Sequence, residues 1–441
     1  MVYRLFILIS LSVFWATADA QQPDDLIRKH STPVRSIAPN DSDYTDLEPI
    51  AKAIGDARIV MLGEMDNGDG ETIRAKTRLV QYLHQKLGFT VLAFESDFNG
   101  VNWIWETQKK GYAALRAVTH IWTDVAEFRE MERYIARYAH GPDPLIISGI
   151  DCQVYDAEEV LNFTERVPKL FESLGYDVKD PVYPDYITSL IRANDYDTAK
   201  RMPDTTIRFL RNQTFRILND LKSHPELDPT GLWYQTFNNF MGNAANCWLN
   251  RKVPVGYNFL QLKHDGTIHE KQMADNLRWL ADERYKGKKI MVWALNRHIS
   301  KNIDQLEVSI SNYKRTLNTT MGSEAFRRYG NEVYILGFTS ARGSSGSPFQ
   351  RDGMPFDIHR LGKNDLYTNT MLQIKADYAF TDFRPIQNTA DTAKTFISRG
   401  WGYEFDMKGN WFNVFDGLFF IKTNKAAIAM EFDNLAGPDN W

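Results

Sequence analysis

The sequence has little of what marks a specialised class. It holds two cysteines in 441 residues, Cys152 and Cys247, too few for a disulfide scaffold. Lying on separate segments, they pair only if the fold brings them together, and two buried thiols are the plainer expectation. Positive charge is not in surplus: 52 Lys plus Arg against 56 Asp plus Glu leave a formal net charge of −4. No basic excess is available to neutralise phosphates, so a nucleic-acid partner is not expected. Beyond the N-terminus no stretch reaches the ~20 apolar residues that span a bilayer. With 43% hydrophobic and 24% charged residues the chain is not disordered. Its length admits two or three domains of roughly 150 residues, or one large α/β domain with an insertion.

Familiar catalytic signatures are missing too. There is no G-x-S-x-G elbow and no H-E-x-x-H. Gly68 and Gly70 do not form G-x-G-x-x-G, which leaves a nucleotide site without its phosphate cradle. The acid- and glycine-rich loop Gly63–Glu71 lacks the ligand spacing of an EF-hand. Neither a metal nor a cofactor is therefore expected.

What is present begins at the N-terminus. Arg4 precedes an apolar run from Leu5 to Trp15, and Ala18-Asp19-Ala20 offers the small residues of a cleavage site. Residues 1–20 read as a signal peptide, so the mature chain, 21–441, is expected in the periplasm or outside the cell, without a transmembrane segment.

Short apolar, β-branched runs then alternate with helical patterns, as in a mostly parallel sheet flanked by helices. The runs are Arg58–Leu62, Thr90–Phe94, Leu145–Ile150, Ile290–Ala294 and Val333–Phe338, followed by Tyr378–Phe380 and Leu418–Ile421. Between the first two, Thr72–Lys86 carries apolar residues at helical spacing, with Gly88 as the stop signal. From about 157 to 285 no strand run occurs, and helical patterns broken at Pro203, Pro225 and Pro229 predict a helical insertion covering the sheet. Gly343–Gly353, rich in Gly and Ser, suits a mobile loop near a site.

Polar residues follow the strands in a consistent way: Gly63-Glu64, Glu95-Ser96-Asp97, Asp151-Cys152-Gln153 and Asn296-Arg297-His298. Ligands of open parallel sheets bind outside the carboxyl ends of the strands, so these clusters should converge on one crevice. Carboxylates and a histidine brought together there would shift one another's pKa values as acid–base chemistry requires. Loops are polar in any case, and a lone His298 could be a core histidine bonded to a backbone carbonyl. Trp103, Trp105 and Trp122 either line an apolar cleft or belong to the core.

At these residues the chain resembles the erythromycin esterase family, whose first motif runs Gly-Glu-x-x-His-Gly before a helix with an Arg and a strand ending in Glu. Gly63-Glu64-Met65-Asp66-Asn67-Gly68 and Phe94-Glu95 fall at matching positions. So do Trp122 with Glu127, Gly149–Gln153, Met273-Ala274-Asp275-Asn276 before Trp279-Leu280, Val292–His298, Met321-Gly322 and Ile335–Phe338. The resemblance implies an α/β fold with a helical insertion and a metal-independent hydrolase that opens a macrolide lactone by water attack.

It also exposes departures. Asn67 stands where the family's base His belongs, Leu295 stands where the first His of a His-Asn-x-His pair belongs, and Lys76 replaces an Arg, keeping charge but losing the planar fork. Asn cannot hold a proton near neutral pH, and general-base assistance is typically worth ~10²–10⁴ in rate. The expectation is an exported hydrolase acting on an ester or lactone of a small molecule. Glu64, Glu95 and His298 would be its catalytic groups, and Asn67, Lys76, Asp151 and Asn296 its substrate contacts. The competing expectation is a catalytically impaired relative that binds a small amphipathic ligand in the same cleft.

Overall fold

The structure, a computed structural model, describes residues 22–430 except 109–110, 140, 142–143, 155–156, 251–266, 309–318, 350–352, 359–363, 388–394 and 404–405. The expected signal segment, residues 1–20, lies outside the described residues.

Twelve strands are present among the described residues: β1 (Ser31–Val34), β2 (Ile59–Leu62), β3 (Phe89–Asp97), β4 (Ile146–Asp151), β5 (Lys289–Trp293), β6 (Glu307–Val308), β7 (Val333–Ser345), β8 (Phe356–Asp357), β9 (Tyr378–Asp382), β10 (Phe396–Ser398), β11 (Met407–Gly409) and β12 (Gly417–Asn424). The main sheet runs β1-β9-β12-β7-β2-β5-β3-β4, with β8 paired to β7. From β12 to β4 every pairing is parallel, whereas β9 and β1 add an antiparallel edge. β10, β11 and β6 form a small antiparallel sheet of their own. The mostly parallel, helix-flanked sheet expected from the alternating runs is the observed architecture.

The parallel strands are covered on both faces, which is why they are written as near-continuous apolar runs. Every residue of β2 and β4 is buried. Helix Gly70–Leu87 joins β2 to β3, and Gly88 closes it at φ +73°, its N–H donating to the Leu83 carbonyl. This left-handed cap suits a residue without a Cβ.

Between β4 and β5 the described residues build helices Ala157–Ser173, Val182–Ala193, Tyr196–Ala199, Asp204–Ser223, Leu232–Leu249 and Thr267–Trp279. Pro203 is the N-cap of one of them, and Pro225 opens a 3-10 turn. These helices hold an apolar cluster that includes Phe163, Phe171, Tyr186, Phe237 and Phe240. They are also tied to the rest of the fold: Asn276 Nδ2 donates to the Ile150 carbonyl in β4 (3.0 Å), and Trp103 Nε1, from helix Phe98–Gln108, donates to Thr236 Oγ1 (3.0 Å). Trp103, Trp105 and Trp122 are all buried. Cys152 and Cys247 are unpaired, buried thiols, each with Sγ 3.8 Å from Asn243 Oδ1. Among the described residues no helix is long and apolar enough to cross a membrane.

Candidate active site

The carboxyl ends of β2, β5, β3 and β4 lie side by side, and the strand register brings their polar successors together. At the end of β5 two consecutive backbone amides face opposite neighbours. Leu295 N–H donates to Glu95 Oε2 (2.7 Å), while Asn296 N–H donates to the Glu64 carbonyl (2.8 Å). Two charged assemblies result.

The inner assembly is built on Glu64. Its Oε2 accepts from Lys76 Nζ at 3.0 Å and its Oε1 from Trp122 Nε1 at 2.9 Å. Lys76 reaches it from helix Gly70–Leu87, with its ammonium 4.1 Å from the centre of the Trp293 ring. Both side chains of the pair are 0% exposed. Burial disfavours each charge. It pushes the Glu64 carboxyl up to about 7 despite the neighbouring ammonium, and the Lys76 ammonium down to about 8 despite the carboxylate.

The outer assembly is a chain of acids and imidazoles. Glu95 Oε1 lies 3.1 Å from His298 Nε2, and Glu270 Oε1 lies 2.5 Å from His298 Nδ1. Glu270 is fixed in turn by the Met321 N–H at 2.9 Å. Burial opposes a charge on His298, but the two flanking carboxylates outweigh it and raise the imidazolium to about 10. The two carboxylates favour the charged form of His298, while Arg297 Nε approaches the same Nε2 at 3.2 Å. Burial likewise opposes the Glu95 carboxylate, yet His298 holds it below the usual glutamate range. A second pair adjoins: His269 Nε2 lies 2.6 Å from Asp151 Oδ1, and the His269 and His298 rings meet edge-on with centroids 5.6 Å apart.

Each residue expected from the sequence can now be placed. Glu64 and Lys76 contact one another, Glu95 contacts His298, and Asp151 stands beside them through His269. Asn296 is spent elsewhere. Its Nδ2 donates to the Phe338 and Gly400 carbonyls, both at 2.7 Å, and its Oδ1 accepts the Phe338 N–H at 3.1 Å. It rivets the end of β5 to β7, and the rivet leaves no amide atom for a substrate. Gly63 belongs to the same device, since a Cβ there would lie 1.9 Å from Asn296 Oδ1. Asn67 is half-buried, and its Oδ1 meets no hydrogen-bond partner among the described residues. In the same loop Asp69 accepts from Tyr403 Oη (3.0 Å) and Asn424 Nδ2 (2.8 Å), so this acid braces the loop.

His269 and Glu270 were not among the expected site residues. The available signal was their position in the first turn of the helix that carries Met273–Asn276, but only the tertiary fold shows that this turn lies over β4 and β5. Their spacing bears on metal binding. One donor atom each from His269, Glu270 and His298 lies within 4.8 Å of the others, and Asp151, Cys152 and His269 group similarly. Within the arrangement three carboxylates face two imidazoles, with hydrogen bonds joining His269 to Asp151 and His298 to Glu270.

The family's sequence profile, that of erythromycin esterase, matches residues 84–424. The chain belongs to the erythromycin esterase family. The match takes in Glu95, Asp151, His269, Glu270 and His298, while Glu64, Asn67 and Lys76 lie upstream of it. Among curated relatives, the YbfO protein of Bacillus subtilis (strain 168) is 24% identical over 366 residues, covering 77% of this chain and 78% of its own. A Bacillus cereus crystal structure superposes with a TM-score of 0.71 at 18% identity, covering 92% of this chain and 98% of that one. A variant of the erythromycin esterase EreC in its open conformation superposes at 0.64 and 16% identity, covering 92% and 100%. At these identities the solved structures speak for the fold.

Proposed function

We propose that this member of the family is an exported, metal-independent hydrolase that opens an ester or lactone bond in a small molecule by water attack, at an altered active site. One observation carries the reading: at the carboxyl ends of adjacent parallel strands Glu95 and His298 lie 3.1 Å apart, their side chains 11% and 7% exposed, an arrangement in which each favours the other's charged form. Glu95 is an acceptor able to orient a water. The His298 cation beside it stabilises negative charge developing on a carbonyl oxygen, and low dielectric strengthens that effect. Behind them, the wholly enclosed Glu64–Lys76 pair supplies a fixed dipole and keeps water out of the inner crevice. Family membership supports the reaction class, and Asn67 and Leu295, which carry no titratable group, support the reading of an altered site.

The test is turnover by the purified mature chain, with its N-terminus read by mass spectrometry, against a panel of aryl esters and lactones of varied ring size. We expect hydrolysis of at least one class, unchanged after chelator dialysis and lowered about 10²-fold by Glu95→Gln. No turnover across the panel by a folded protein overturns the proposal.

A further inference from the structure

We propose that His269, oriented by Asp151, is the general base of this site and takes the proton of the attacking water on Nδ1. The inference rests on the hydrolase reading above and deepens it.

The argument turns on which nitrogen is available. An imidazole acts as a base only through an unprotonated nitrogen whose lone pair is open. His298 has none to offer, because Glu270 faces its Nδ1 and Glu95 its Nε2. Asn67 accepts no proton near neutral pH. Glu64 and Lys76 are enclosed against each other at 0% exposure. His269 differs from all of these. Its Nε2 is held at 2.6 Å by Asp151 Oδ1, an oxygen that also accepts the Gln153 N–H at 3.1 Å. A carboxylate so placed keeps the ring's proton on Nε2. Nδ1 meets no hydrogen-bond partner among the described residues. The His269 side chain is 13% exposed against 5% for Asp151, making it the more open of the pair. A carboxylate fixing one imidazole nitrogen while the other stays free is the arrangement that sets tautomer and orientation in acid–base dyads.

The surroundings tune it. Burial disfavours the imidazolium, but Asp151 and, more weakly, Glu270 outweigh burial and lift His269 above the ordinary histidine range, while the His298 cation opposes them. Cys152 adjoins the pair, and Glu95 and Arg297 stand on the far side of His298. In the step, the water oxygen bonds to the acyl carbon as its proton passes to Nδ1 and the carbonyl electron pair moves onto oxygen. When the carbonyl re-forms, the bond to the leaving oxygen breaks, and that oxygen takes the proton back from Nδ1.

The experiment uses the purified mature chain, p-nitrophenyl butyrate as probe, and His269→Asn and Asp151→Asn variants checked for fold by circular dichroism. We expect His269→Asn to lower kcat ~10²–10⁴-fold with KM changed less than about twofold, and to abolish the rising limb of the pH–rate profile. Asp151→Asn should move that limb to lower pH, which a merely structural role would not do. Nitrogen NMR of the histidine rings, which needs no substrate, should find neutral His269 protonated on Nε2 with Nδ1 bare. If His269→Asn fails to fold, the limb shift in Asp151→Asn carries the test. A wild-type rate retained by His269→Asn, an unmoved limb in Asp151→Asn, or an Nδ1–H tautomer overturns the base assignment and leaves the hydrolase reading intact. A wild type that hydrolyses no ester overturns both.

Discussion

The Glu64 and His298 assemblies use the same chemical vocabulary, a carboxylate against a cation, to opposite ends. Around Glu64 one acid meets one ammonium under two tryptophans, and burial drives both groups toward their neutral forms, to about 7 and about 8. Around His298 two acids flank one imidazole, and the excess of negative charge keeps the cation charged to about 10. The difference lies in stoichiometry and in access to water. A matched pair sealed from solvent is pressed toward neutrality, whereas an acid-rich network with a small exposed edge keeps its charges.

The largest expected effect tests the sealed pair. Glu64→Ala strands the Lys76 ammonium in a wholly buried pocket and should cost about 3–5 kcal/mol of stability, with Glu64→Ala/Lys76→Met recovering most of it. Denaturant melts of both variants measure this, and a single variant as stable as wild type would show that water reaches the pair. Next comes the rivet between the regions. Asn296→Ala leaves the Phe338 N–H and two carbonyls unpaired and should cost about 2–3 kcal/mol, with KM unchanged in the folded fraction. A raised KM at unchanged stability would return Asn296 to the substrate contacts.

A third prediction concerns pH. The folded pKa of His298, about 10, exceeds the unfolded value of about 6.5. Its contribution to stability is therefore complete below pH 6.5 and lost as pH rises toward 10. Wild type minus His298→Gln stability, measured by melting from pH 6 to 10, should shrink steadily. A constant difference would mean that His298 is neutral in the folded chain. The smallest effect is a gain: Asn67→His with Leu295→His should raise hydrolysis of an activated ester about tenfold, since each adds a group titrating near ~6.5. Equal rates for wild type and the double variant from pH 6 to 8 would mean that the added imidazoles do not reach the attacking water, and a gain of ~10² or more would mean that His269 does not already supply the base.

Much of this was legible in the chain. The parallel strands show because burial on both faces forces unbroken apolar runs, and the polar residues after them mark the crevice because register, once set, fixes where strands end. Helix Gly70–Leu87 shows through its period and its glycine stop. Other parts were hidden for physical reasons. β1 is four residues long with Pro33 on an edge, too short for a pattern. Nothing in the run at Tyr378–Phe380 says that β9 pairs antiparallel. Asn296 reads as a binding residue by position, and only its three backbone partners show it to be structural. His269 and Glu270 follow a long stretch of helices, and no local signal says which turn will come to rest on the sheet.

That turn has a consequence for how members of this family diversify. Helix Thr267–Trp279 carries His269 and Glu270 at one end and, through Asn276, grips the Ile150 carbonyl and Asn239. The helices between β4 and β5 are thus not an accessory that lineages can exchange freely over a constant centre. A change there that moves this helix also moves His269 and Glu270, so under the function proposed above selectivity and proton chemistry would evolve together, and grafting this segment onto another member of the fold would carry two of the proposed site's side chains with it.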